Sequence, residues 1–298
     1  MNAAAPALYE PMLERDVDAI RRSAASFAAD EGLDQLFLAV ARFAVLAYAP
    51  SQHGKHAVIA ALSAHELRDE RWLELITEVA LYASLARQPW SEPPILEMPA
   101  LDDSQRGDVG ELREAMASQD RPRAERWLAK RIDDPLPDLF QVASEDADDL
   151  GHKLIMAVTA WRLAAILGEK GRFAALRVAV WEMTAYHGGL RPGPAEPLET
   201  LMARCVEERG SIESAHAVFL FEAQTRAAAI SSPASRPPDR RRSTPVYALG
   251  RDYAQTLEAH AVVRRLEPRF PDAPFDDFLA AVHQNLESSP SFEEWSFA

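Results

Sequence analysis

Residues 144–191 constrain the fold of this chain more than any other stretch. They read SEDADDLGHKLIMAVTAWRLAAILGEKGRFAALRVAVWEMTAYHGGLR. Between Lys153 and Glu169 the sole charge is Arg162, and between Arg172 and Glu182 it is Arg177. Two runs this apolar, separated by Gly168-Glu169-Lys170-Gly171, predict two long buried helices folded into a hairpin. An acidic run (Glu145, Asp146, Asp148, Asp149) precedes His152, as suits the positive end of a helix, and Gly188-Gly189 follows His187, as suits a stop. His152 and His187 therefore mark the ends of buried helices, either as structural residues or as the edge of a site.

The rest of the chain repeats this theme. Helices are expected over 13–29, 33–48, 56–67, 71–86, 111–118, 121–130, 199–209, 212–230, 247–266 and 274–286, with apolar residues at three- and four-residue spacing such as Leu73, Ile76, Val79 and Ala83. No alternating strand pattern is present, so the expected class is all-α, with stacked antiparallel helical hairpins forming one large domain over residues 1–298. Flexible loops are expected near 87–110, which is rich in proline and acid, and near 231–246, where SSPASRPPDRRRST carries three consecutive arginines. The segment after Gly189 (LRPGPAEPL) reads as a proline-rich crossing.

An apolar content of 48% in 298 residues suffices for a sizeable core. A net charge of −14 argues against nucleic acid or an anionic membrane surface as the partner and leaves a small apolar or aromatic molecule open. No apolar run reaches the roughly 20 residues of a membrane span. The first residues lack a basic start followed by an apolar run, so no signal peptide is expected. With Cys205 as the one cysteine, a disulfide framework is excluded and a cytoplasmic location is expected.

Three expected helices begin alike: His56-Ala-Val-Ile, His152-Lys-Leu-Ile and His216-Ala-Val-Phe. Each places a histidine at the polar start of an apolar helix, so the rings converge if the helices stack with the same end facing a common cavity. The alternative is that each ring caps its own helix. The helix dipole at such a position disfavours the protonated ring, and neutral imidazole is the form that accepts a proton. That would serve as a general base toward an enolisable or phenolic substrate. Trp161, Trp181, Tyr186 and His187 are candidates for the wall of a substrate pocket, or plain core residues. Glu213 and His216 have E-x-x-H spacing, but a carboxylate-bridged metal pair needs a second such unit, so no metal site is expected. Gly-x-Gly-x-x-Gly, P-loop and Gly-x-Ser-x-Gly motifs are all missing.

The blocks GKHAVIAALSAHEL (54–67), the hairpin ending TAYHGGLRP (151–192), SAHAVFLFEA (214–223) and the aromatic C-terminal tail resemble the questin oxidase-like family over about residues 51–298. That resemblance implies an oxidoreductase performing Baeyer–Villiger-type oxidation of an aromatic polyketide in secondary metabolism. It also implies NADPH as reductant, no tightly bound flavin, and roles for His56, His152 and His216. The chain departs from the family pattern at Ala60, Phe219 and Asp252, which keeps open a non-catalytic helical binding or scaffold protein.

Overall fold

The computed structural model describes residues 5–50, 52–68, 70–85, 98–101, 106–146, 151–185, 196–230 and 251–286. The expected loops near 87–110 and 231–246 lie largely outside these residues, as do Tyr186, His187 and the aromatic tail. Among the described residues the chain forms fourteen α-helices and no strand. They are α1 (Ala5–Glu14), α2 (Val17–Glu31), α3 (Leu33–Leu46), α4 (Gln52–Leu67), α5 (Trp72–Leu85), α6 (Val109–Ala117) and α7 (Arg121–Lys130). After these come α8 (Leu136–Ala143), α9 (His152–Leu167), α10 (Glu169–Met183), α11 (Leu198–Glu207), α12 (Ile212–Ile230), α13 (Arg251–Leu266) and α14 (Phe275–Leu286). The all-α class is therefore the architecture observed.

Local chemistry sets the boundaries. Asp16, Asp108 and Asp120 each accept a backbone N–H three residues on, capping α2, α6 and α7. The expected helix over 13–29 corresponds to α2, which Asp16 starts after the chain turns at Arg15 in the left-handed region (φ 61°); α1 before that turn was not anticipated. Helix α8 was not anticipated. Pro135 precedes it and Pro137 occupies its first turn, where a missing N–H costs nothing.

Helices α9 and α10 fold against each other about Gly168 (φ 68°) and make the most extensive helix contact among the described residues. Helix α9 is buried on nearly every face, in keeping with its long apolar runs between Lys153 and Arg162 and beyond. It is one of four helices in a closed ring: α4 touches α13, α13 touches α12, α12 touches α9, and α9 touches α4. Each ring helix has a neighbouring helix in the chain packed against it, namely α5, α10, α11 and α14. The site lies inside this ring.

Candidate functional site

The ring interior is layered, and the layers follow the helical repeat. At one end His56 of α4, His152 of α9, His216 of α12 and Glu258 of α13 are all buried. The His152 and His216 rings meet edge to face with centroids 4.3 Å apart, and His56 and His152 do the same at 5.0 Å. The His216 Nε2 atom lies 3.2 Å from His152 Nε2 and 3.3 Å from its Nδ1. His56 Nδ1 lies 3.2 Å from Glu258 Oε1. When Nδ1–H donates to that carboxylate, Nε2 carries the ring's lone pair.

One turn further along, Ile59, Ile155, Phe219 and Val262 form an apolar layer. Beyond it come Leu62, Ser63, Val158, Thr159, Glu222 and Ala223, and then Arg162 and Arg265. Since residue numbers rise in this direction on all four helices, the four run in the same sense. From the apolar layer to the arginines the residues line a narrow cleft of about 30 Å³, room for about two water molecules. Glu258 lines its inner end, while the three histidines lie immediately behind it and are not part of the lining.

Small residues make the convergence possible. Gly151 precedes His152 with φ 81°, and a Cβ there would sit 2.7 Å from Leu220 Cδ1 of α12. A side chain there would force Leu220 of α12 to shift. Gly54, two residues before His56, approaches Ala49 so closely that a Cβ would fall 2.2 Å from its carbonyl oxygen.

Behind the histidines lies a second buried polar group. Lys55 and Lys153, each a sequence neighbour of a site histidine, are fully buried. Lys153 pairs with Asp146, and Lys55 Nζ stands 3.8 Å from Glu182 Oε1, whose other oxygen accepts the Tyr48 hydroxyl proton. Burial pushes the Glu182 carboxyl above its ordinary range, against the pull of Lys55 and Tyr48. Successive residues on a helix point about 100° apart, so these lysines necessarily face a different side from their histidines.

The sequence-derived candidates separate here. His56, His152 and His216 come together. Trp161 packs edge to face on Phe140 of α8, and the Trp181 indole N–H donates to Glu125 while Arg177 lies over its ring at 4.2 Å. Neither tryptophan lines the cleft. Tyr186 and His187 lie outside the described residues. Glu258, Glu222 and Arg265 escaped the sequence reading because isolated charges in a helix are indistinguishable from a solvated face.

Histidine and carboxylate are the donors a transition metal uses. Among the described residues, however, no set of three or more such side chains is arranged to hold an ion. The glycine-rich βαβ turn of a dinucleotide-binding fold is missing from the sequence. No helix of the described residues is long and apolar enough to cross a membrane. No family model, curated protein or solved structure matches the chain.

Proposed function

We propose that the chain is an oxidoreductase of the questin oxidase-like kind, acting on an aromatic, polyketide-like molecule beside the His56–His152–His216 cluster. One observation carries this reading: three histidines from helices distant in sequence meet edge to face in a buried layer, with Glu258 against the first. Burying polar rings in a helical core costs free energy that apolar side chains would avoid, so their contact argues for chemical use.

The cluster suits proton removal from a phenol or an enolisable carbon. Glu258 orients His56 through Nδ1, and the contact between His152 and His216 gives a second ring a defined partner. His152 is the first residue of α9, where the helix's positive end favours an oxyanion developing nearby. Insertion of one atom of O2 between a carbonyl carbon and its neighbour leaves the other atom to be reduced to water. That reduction takes two electrons and two protons, for which the resemblance implies NADPH plus a proton.

The test is oxygen uptake with NADPH and 1,8-dihydroxyanthraquinone. Uptake by the wild-type protein should fall by about a hundredfold or more in His152→Ala and His56→Ala, while far-UV circular dichroism stays unchanged. If the wild-type protein shows no substrate-dependent uptake across a panel of hydroxyanthraquinones, the reading fails.

A second reading, a non-catalytic helical binding protein, is favoured by the histidines lying behind the cleft rather than on its lining. It expects His152→Ala to shift the melting temperature with no turnover to lose.

A further inference from the structure

The cleft between α4, α9, α12 and α13 is too small for an organic ligand, and its size fits water. One water needs at least roughly 10–15 Å³ of such space, so about 30 Å³ takes two in file. Buried water also needs polar partners, and the lining offers them on both sides of the apolar layer. Glu258 stands at the inner end. Toward the outer end are the hydroxyls of Ser63 and Thr159, each 4% exposed, and the carboxylate of Glu222, 5% exposed.

The outer groups are short of partners within the protein. Thr77, Thr184 and Thr225 turn their hydroxyls back to the carbonyl four residues earlier, as helical threonines commonly do. Ser63 and Thr159 make no hydrogen bond among the described residues, although both are buried. Arg226 and Arg265 both bond Oε1 of Glu222, so its Oε2 has no protein donor among the described residues. Buried polar groups that lack a protein partner are satisfied by ordered water.

The spacing agrees. Ser63 and Thr159 lie about two helical turns beyond His56 and His152, about 10 Å along the axis. Two waters in file make three hydrogen bonds of about 2.8 Å and so span about 8 Å, and the length of the Glu258 side chain covers the rest. The mouth of the cleft, at Arg162 and Arg265, meets solvent: these side chains are 21% and 18% exposed.

Given the reading that the histidine layer moves protons, we propose that the cleft is a proton pathway, a file of two waters that connects the layer to solvent. Glu258 holds its inner end and Ser63, Thr159 and Glu222 hold its outer end, while Ile59, Ile155, Phe219 and Val262 keep it narrow. When a proton arrives at His56 Nε2, Nδ1 gives its own to Glu258. Glu258 passes it to the first water, each water gives up one proton as it gains another, and Glu222 releases it at the mouth. One proton has then moved from the layer to solvent; the waters and carboxylates are as before and the ring is left as its other tautomer. Burial raises the Glu222 carboxyl above its ordinary range, against the pull of Arg226, which suits a group that takes up a proton before passing it on.

The experiment measures exchange of the His56 Nδ1 proton with water, by NMR of the full-length protein carrying isotope-labelled histidine. Exchange should slow at least about tenfold in Ser63→Ala/Thr159→Val, while backbone amide exchange in α4 and α9 stays as in the wild type. A merely structural role for the two hydroxyls would move the amides and the ring proton together, and that outcome, like an unchanged ring exchange rate, overturns the pathway. A second measurement needs no variant. A crystal structure of the wild-type protein should hold two waters in file between Glu258 and Glu222, bonded to the Ser63 and Thr159 hydroxyls, and a dry cleft overturns the proposal as well. Neither readout depends on turnover, so the enzymatic reading fails separately. Ring exchange that depends on the hydroxyls, in a protein with no substrate-dependent oxygen uptake, keeps the pathway and removes the oxidoreductase.

Discussion

Glu258 and His260 show how far single residues can be read from sequence. His260 sits in the string His-Ala-Val-Val, close to His56-Ala-Val-Ile and His216-Ala-Val-Phe, yet its ring stacks on His283 of α14. Glu258, two residues earlier, faces His56 instead. Two residues are about 200° of helix, so these side chains leave α13 on opposite sides, and no one-dimensional string says which side faces inward. Cys205 of α11 is buried. Burial pushes its thiol up to about 11, and it should not react with Ellman's reagent until the protein unfolds; rapid native labelling would contradict the buried placement. His65 carries a pH prediction. Burial first, and then the neighbouring Arg68, lower it from 6.5 to about 4. The unfolded chain therefore binds more protons than the native one between these values, and stability falls as pH drops from about 6.5 toward 4. His65→Gln should flatten that part of the melting-temperature profile, and an unchanged slope would show that other groups dominate it.

At the level of elements, apolar periodicity with glycine and proline punctuation located most helices, and α7 falls on the residues expected. The failures are local. The break at Arg15 depends on one backbone angle and one aspartate cap, α1 before it was not anticipated, and α8 is a short helix behind Pro135 with Pro137 in its first turn. Gly151 carries the element-scale prediction, since it needs φ 81° and lies against Leu220. Gly151→Ala should cost about 2–5 kcal/mol, from the left-handed backbone of a non-glycine residue plus overpacking. In a Leu220→Ala background the packing part should disappear, leaving about 1–2 kcal/mol. Chemical denaturation of the four proteins in this cycle measures the coupling, and simple additivity would mean that Leu220 is not what Gly151 accommodates.

For the whole molecule, neither the ring nor its parallel sense follows from hairpin-by-hairpin reading. The His56–Glu258 contact joins residues 202 positions apart. Adjacent helices announce their pairing through short connections; which helix of each pair turns inward is settled by packing across the whole chain. Helix α13 completes the ring and buries Leu257, Val262, Val263 and Leu266. At about 1.5–3 kcal/mol for each large apolar side chain, its loss removes stability comparable to the roughly 5–15 kcal/mol of an ordinary domain. A chain ending at Ile230 should therefore lack a cooperative thermal transition by circular dichroism. A sharp melt from that fragment would show that the remaining helices close a core without α13.

Taking one ring helix from each pair also separates two kinds of evolutionary constraint. Helices α5, α10, α11 and α14 support the ring from outside, so they can drift in sequence as long as they stay apolar on the side that packs inward. A distant relative that retained the site would share residues concentrated in 54–67, 151–167, 214–226 and 257–266, and would look unrelated along most of its remaining length.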